Sequence, residues 1–367
     1  MKLDHSLIKF PIDLQCERAS TLANAAQAVK SHILEMKMQE ERKSVRASDV
    51  AKLANVSRAT VSRTFTEGAY VSEEARAKVL RAADLLGYRP NALAQSLMTN
   101  RTKIVGVVTT DLNIPFYAEL LQTLASAIEQ AGMTTLLLMA DPSRNDDLVE
   151  KLLSYQVDGL ILTDTTLTPR MAHVLTRSEK TVISINRFLD DENMTSITCA
   201  NMACGEAVAD LLVDKGCRTI SYIAGVPDTQ REFGFRKRLS ERGVLLNSFK
   251  LGNFSYDSGL VCAREILHSG DRPDGVFCAN DLMAMAYIDV ARSEFGLSAP
   301  EDYLIIGFDN SIEGSWLSYQ LSSVDQNIAK MVEITVEQML AGIAGEARQG
   351  GQIQVPGILV ERASTAR

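Results

Sequence analysis

Between Ile104 and Asp309 the chain alternates short, nearly continuous apolar runs with amphipathic stretches. The runs IVGVVTT (104–110), TTLLLMA (134–140), DGLILT (158–163), TVISIN (181–186), TISYIAG (219–225), DGVFCAN (274–280) and YLIIGFD (303–309) predict strands. Apolar residues at helical spacing predict helices over 115–131, 145–155, 203–215, 230–242, 257–268 and 281–294. Strands that are apolar on both faces and separated by helices imply parallel sheets covered on both sides. In such sheets a ligand sits beyond the carboxyl ends of the strands. The polar residues there are Asp111 and Asn113, Asp164, Asn186 and Arg187, Asn280 and Asp281, and Asp309 with Asn310. Each alone reads equally as loop solvation. Their recurrence at one end of the sheet suits a polyhydroxylated ligand.

The pattern before residue 91 is different. Ser48 stands where an N-cap would start the short helix DVAKLA, with Val50, Leu53 and Ala54 on one face. Asn55, among the few residues that tolerate a left-handed turn, precedes a second cap at Ser57 and the helix RATVSRTF, with Val56 and Val61 inward. Ser72 caps a third helix with Glu73 and Glu74 in its first turn, where the macrodipole favours acids. Ala75, Val79, Ala82, Ala83 and Leu86 form its inner stripe, and Gly87 and Pro90 stop it. Helix, tight turn, helix is the spacing of a helix-turn-helix. The middle helix, about two turns long, is too short to stand alone, so packing leaves Arg58, Ala59, Ser62 and Arg63 outward. A cationic, short-chained surface of this kind fits a DNA major groove, where Arg reads guanine and Ala touches a thymine methyl. Ser57 and Thr60 are placed to donate to phosphates.

Charge sharpens the division. The chain carries a net −8, yet residues 45–103 hold ten Lys/Arg against five Asp/Glu. A small basic module joined to a large acidic one implies a polyanionic partner for the first alone. The six cysteines and four histidines are scattered without metal-ligand spacing, so the cysteines read as packing residues and no cofactor is expected. No run approaches the ~20 apolar residues of a membrane span, and the first residues lack the uninterrupted apolar run of a signal peptide. A cytoplasmic, non-membrane protein is the expectation. Residues 1–44 show a helical pattern from Ala19 to Glu41 with a thin apolar face. They read either as an extension or as a misassigned start, with Met36 or Met38 as the true beginning.

From Val45 onward the chain resembles the lactose-repressor (LacI) family of bacterial transcription regulators. The resemblance rests on VRASDVAKLANVSRATVSR, YVSEEARAKVLRAADLLGYRPNALAQSLMTN, VVTTDLNIPFYAELLQTLASAIEQAG, VDGLILT, FCANDLMAMA, IIGFDN and SSVDQN. It implies a small all-α helix-turn-helix DNA-binding domain (45–90), joined by a hinge (91–103) to an α/β core (104–367). The core resembles the periplasmic-binding-protein fold, two parallel-sheet subdomains crossed three times by the chain, near 198–201, 323–326 and 350–353. The expected subdomains are 104–199 plus 326–350, and 200–325 plus 351–367. By the same resemblance Arg58 and Ala59 match base-reading positions, and Arg63 matches a base or phosphate contact. Leu97, with its small neighbour Ala94, matches a leucine that wedges into the minor groove. The expected effector residues are Asp111, Phe116, Asn186, Arg231, Phe254, Asn280, Asp309 and Gln326, with Asp164 a further candidate.

Two departures stand out. Asn55 replaces the usual Gly, and Thr66 replaces a phosphate-binding Asn. The chain ends at VERASTAR without the leucine heptads of a tetramer seam, which favours a homodimer and hence a pseudo-palindromic operator. The expected function is a repressor of a carbohydrate-use operon, controlled by a sugar or sugar acid. A sugar-binding protein without regulatory role leaves the basic module unexplained. A doubly wound dinucleotide enzyme needs GxGxxG after the first strand, which here runs into TTDLNIPF. No catalytic arrangement was found, so an enzyme is not expected.

Overall fold

The computed structural model describes residues 45–66, 68–90, 101–140, 145–163, 169–188, 194–270, 272–346 and 350–366. The N-terminal stretch 1–44 and most of the expected hinge therefore lie outside the described residues. The chain divides into two compact units, Met1–Gln95 and Ser96–Arg367.

In the first unit α1 spans Ala47–Ala54, α2 Arg58–Thr64 and α3 Glu73–Leu86. Val50, Val61 and Val79 are wholly buried and, with Ala51, Ala54, Ala82 and Ala83, make the core. Asn55 ends α1 at φ 53°, the left-handed conformation expected of it. Ser57 caps α2 by accepting from the Thr60 amide at 3.0 Å, and Ser72 caps α3. Two expectations fail. Ser48 lies inside α1, whose start is held instead by the Asp49 carboxylate, which accepts from the Arg46 amide at 2.9 Å. Leu53 is 52% exposed rather than packed, because α1 turns only Val50, Ala51 and Ala54 to the core.

The second unit is built on two parallel sheets. The first contains β1 (Ile104–Thr109), β2 (Thr134–Met139), β3 (Gly159–Thr163), β4 (Thr181–Ile185), β5 (Thr195–Cys199) and β11 (Gly351–Val355), in the order β11-β5-β4-β3-β1-β2. Helices α4 (Pro115–Gln130), α5 (Asn145–Ser154), α6 (Pro169–Arg177) and α11 (Ile328–Ala344) accompany it. The second sheet orders β6 (Ile220–Ala224), β7 (Leu246–Leu251), β8 (Gly275–Cys278) and β9 (Leu304–Ile306) as β7-β6-β8-β9. Its helices are α7 (Asn201–Asp214), α8 (Gln230–Glu241), α9 (Tyr256–His268) and α10 (Asp281–Phe295). A two-stranded antiparallel pair, β10 (Ser323–Asp325) with β12 (Ile358–Val360), completes the unit.

Every strand expected from an apolar run is present, each shorter by one to four residues. Strands β5, β7, β10, β11 and β12 and helices α6 and α11 were not expected. β7 alternates half-buried and exposed positions along an edge of its sheet, so it offers no continuous apolar run. The chain crosses between sheets after β5, after β10 and after β11. The third crossing corrects the expected boundary: residues 351–355 pair with β5 of the first sheet, from Gly351↔Thr195 to Val355↔Cys199, so they do not belong to the second subdomain. The last hinge residues are also tied to this unit. The amides of Thr102 and Lys103 donate to the Asp158 carboxylate at 3.0 and 2.8 Å, and the Arg101 guanidinium donates to the Ile343 carbonyl.

Candidate DNA-reading helix and effector cleft

On α2 the buried residues are Val61 and Thr64. Arg58, Ala59 and Arg63 are exposed, and neither arginine has a partner among the described residues. Ser62, expected outward, is half-buried. The Ser57 hydroxyl holds the Thr60 amide and shares a hydrogen bond with the Thr60 hydroxyl at 2.9 Å, so both expected phosphate donors are already oriented at the helix start. The Thr66 hydroxyl, just past the end of α2, donates back to the Ser62 carbonyl at 3.0 Å. Tyr70, 88% exposed in the loop before α3, is a further surface aromatic that the sequence pattern did not single out. Ala94 and Leu97 lie outside the described residues.

The cleft residues of the second unit fall into groups. Arg231, in the first turn of α8, lies with its guanidinium carbon 3.1 Å from the centre of the Phe308 ring. It donates from Nε and Nη2 to Asn201 Oδ1 at 3.1 and 2.8 Å, and from Nη1 to the Ala279 carbonyl. One cation thereby joins the starts of α7 and α8 to the ends of β8 and β9. α8 can approach α7 so closely because Gly205 and Gly234 face it: a Cβ on Gly205 would lie 2.2 Å from the Arg231 carbonyl oxygen, and one on Gly234 2.1 Å from that of Met202.

Asp309 adopts φ 109°, a conformation that costs a non-glycine residue of order 1–3 kcal/mol. Its Oδ1 accepts from Gln326 Nε2 at 2.7 Å. Burial pushes its carboxyl up to about 8; Arg231 opposes the rise, while Asp281 and Glu119 add to it. The acid is thus held near its neutral form around pH 7, able to donate as well as accept. Gln326 is 1% exposed, and its Oε1 has no partner among the described residues. A buried acceptor left unpaired costs about 1–3 kcal/mol, which a donor on a ligand would recover. Glu119, on α4 of the first sheet, is itself raised by burial and by Asp325 and Glu313. Glu119, carried by the first sheet's α4, thus lies near enough to Asp309, at the end of the second sheet, to raise it.

Other expected residues are committed to structure. Asn280 is 2% exposed; its Oδ1 caps α10 through the Met283 amide at 3.1 Å, and its Nδ2 donates to the Phe254 carbonyl at 2.8 Å. Both ends of that side chain serve the main chain. Phe116 is 2% exposed in the first sheet's core, edge-on to Tyr117, and so is not an open platform. Tyr117, which was not expected, carries its hydroxyl to within 3.2 Å of Asn186 Nδ2. Asp111 accepts from the amide and side chain of Asn113 in a local turn. Phe254, at φ 67°, lays its ring against Gly225, where any Cβ would collide at 2.1 Å. Asp164 lies outside the described residues. Asn201, Phe308 and Tyr117 were missed. Asn201 is the last residue of the first expected crossing, and Phe308 sits in the quoted IIGFDN, so position alone could have flagged both.

Among the described residues no group of His, Cys, Asp and Glu is arranged to hold a metal ion, and no helix is long and apolar enough to cross a membrane.

Residues 48–91 match the family described as bacterial regulatory proteins, lacI family, and residues 209–365 match a periplasmic binding protein-like domain. The transcriptional repressor PurR of Mannheimia succiniciproducens is 31% identical over 87% of this chain and 98% of its own length. Catabolite control protein A of Priestia megaterium is 28% identical over 86% of this chain and 98% of its own. The lac repressor dimer bound to operator and the anti-inducer ONPF matches with a TM-score of 0.78 at 25% identity, covering 89% of this chain and 100% of that one. The regulator CelR in complex with cellobiose matches with a TM-score of 0.66 at 28% identity, covering 87% and 99%.

Proposed function

Because this chain belongs to the lacI family of bacterial regulatory proteins, we propose that it is a homodimeric, cytoplasmic repressor that reads a pseudo-palindromic operator and answers to a sugar or sugar acid. The observation that carries the DNA half is α2: Arg58, Ala59 and Arg63 exposed on a helix whose opposite side is fixed by Val61 and Thr64. Two such helices, related by a two-fold axis, enter successive major grooves. The lac repressor structure with operator supports this reading.

The effector half rests on the cleft. Gln326 supplies an unpaired buried acceptor, Asp309 a carboxyl near its neutral form, and Arg231 a cation already held against Phe308. Hydroxyls satisfy this mixture of donors and acceptors, and a ligand carboxylate would add a partner for Arg231. The CelR complex with cellobiose is in keeping with a carbohydrate. Effector closure shifts the population between two arrangements of the sheets, and its sign follows from which arrangement binds the effector more tightly. The test is fluorescence anisotropy on inverted-repeat and random duplexes at physiological salt, with and without sugars, sugar acids and purines. The reading predicts preference for an inverted repeat, altered by a sugar or sugar acid. Equal binding to both duplexes sinks the DNA half, and a response to purines alone sinks the carbohydrate half.

A further inference from the structure

All three crossings between the sheets meet at one pair of sulfurs. Cys199 is the last residue of β5, and Cys204 lies in the first turn of α7, on either side of the first crossing. Their Sγ atoms are 3.6 Å apart and hydrogen-bonded. The third crossing lies against them at Gly357, where a Cβ would be 2.5 Å from Cys204 Sγ and 3.1 Å from Cys199 Sγ. The second crossing reaches the same point, with Val324 Cγ1 of β10 3.1 Å from that position. By sequence every cysteine is expected to be a packing residue, and a pair of small buried thiols would indeed fill such a space.

What distinguishes this pair is its chemistry. The hydrogen bond between the two sulfurs divides their acidity: it lowers the Cys204 thiol, helped by the Gly357 amide and the nearby Arg231 cation and opposed by burial, and it raises Cys199, which stays a thiol. Burial instead pushes Cys262 and Cys278 up, away from the thiolate. Both cysteines are buried, so a small oxidant such as hydrogen peroxide is the kind that can reach them. A thiolate with a second thiol in van der Waals contact is the arrangement in which oxidation ends in a disulfide rather than continuing to higher acids.

We propose that Cys199 and Cys204 are a thiol–disulfide modification site at the crossings between the two sheets, closed by a peroxide-class oxidant. The Cys204 thiolate attacks a peroxide oxygen, the O–O bond breaks, and the departing oxygen leaves as water or alcohol once protonated, giving a sulfenic acid. The Cys199 sulfur then attacks Cys204 Sγ; its proton goes to the departing hydroxyl, which leaves as water. Two thiols are oxidised by two electrons and one peroxide is reduced. Reaching the ~2.05 Å of a disulfide bond moves the sulfurs about 1.5 Å closer. The bond ties the end of β5 to the first turn of α7 and stiffens the segment whose backbone must turn when the sheets move relative to each other.

The test uses the full-length reduced protein and hydrogen peroxide. Trypsin leaves both cysteines on one peptide, residues 188–215. The expected product is that peptide lighter by two hydrogens, restored by dithiothreitol, absent in C199S and C204S and retained in C262S. Hydrogen exchange at amides 200–204 and at the amides of Gly357 and Ile358 is expected to slow, by roughly tenfold if the local opening is tied. Peroxide that oxidises methionines of the wild-type protein without forming this bond overturns the proposal, whatever the variants do. So does a disulfide that leaves exchange at both crossings unchanged. Neither readout involves DNA, so this proposal and the repressor reading fail separately.

Discussion

On α2 the exposed recognition residues Arg58, Ala59 and Arg63 fall within six positions of one another, and the two arginines have no partner among the described residues. In the cleft, Arg231 is held by Asn201, Ala279 and Phe308, Asp309 by Gln326, and Asn280 by Phe254 and Met283. A phosphodiester duplex is a rigid, highly charged partner, and a helix that presents pre-oriented groups needs little else. A small flexible metabolite needs groups from several elements brought within ångströms, so the cleft is held together by its own hydrogen bonds. The first region is specified locally and the second by packing.

That contrast can be broken from either side. The largest effect is expected from Gly205→Ala. Its methyl would collide with the Arg231 backbone and force α8 away from α7, costing about 1–3 kcal/mol or more by overpacking. Thermal unfolding should fall by several degrees and the effector response should vanish, while the isolated 45–90 helices keep their circular dichroism. Next comes Arg58→Ala. If α2 acts as a free-standing reader, discrimination against a substituted base should drop by about 1–3 kcal/mol at one or two operator positions, with the melting temperature unchanged. Binding titrations on single-substitution duplexes measure this.

Asp309→Asn tests the cleft's electrostatics. The native carboxyl is raised from 3.8 to about 8, so the folded state binds more protons than the unfolded state between those values. Stability should therefore decline as pH rises through that window. The Asn variant should flatten the part of the decline between pH 6 and 8, leaving a lower part to Asp281, which burial raises to about 6. An identical slope in both proteins would remove Asp309 from the account. The smallest effect is expected from Ser57→Ala, which removes the α2 cap and should cost about 1 kcal/mol, seen as a lower melting temperature of the DNA-binding unit and weaker but still selective operator binding.

The legibility of the chain followed the same line. Caps, turns and stripes in residues 45–90 were readable because each depends on neighbours within a few positions, as Asn55, Ser57, Ser72 and Gly87 illustrate. The exceptions there are Ser48, because α1 begins two residues earlier than that cap predicts, Leu53, on a side of α1 that the core does not cover, and Ser62, half-buried rather than outward. In the second unit seven strands announced themselves by their apolar runs, the edge strands β2 and β9 among them, whereas the polar sequences of β5 (TSITC), β7 (LNSFKL) and β11 (GQIQV) carried no such run. The third crossing was misplaced for that reason: whether Gly351–Val355 joins one sheet or the other depends on β5, far away in the chain.

By itself the sequence determined the periodicities: a basic three-helix module, then strands and helices whose buried faces admit only parallel sheets, with polar residues gathered at the strand ends. Those are local consequences of side-chain volume and charge. Only the tertiary structure decided that Arg231 stacks on Phe308, that Asn280 serves the backbone, and that Cys199 and Cys204 touch where the three crossings meet. Such pairings depend on where separate segments come to rest, and close packing sets that only when the whole unit is assembled.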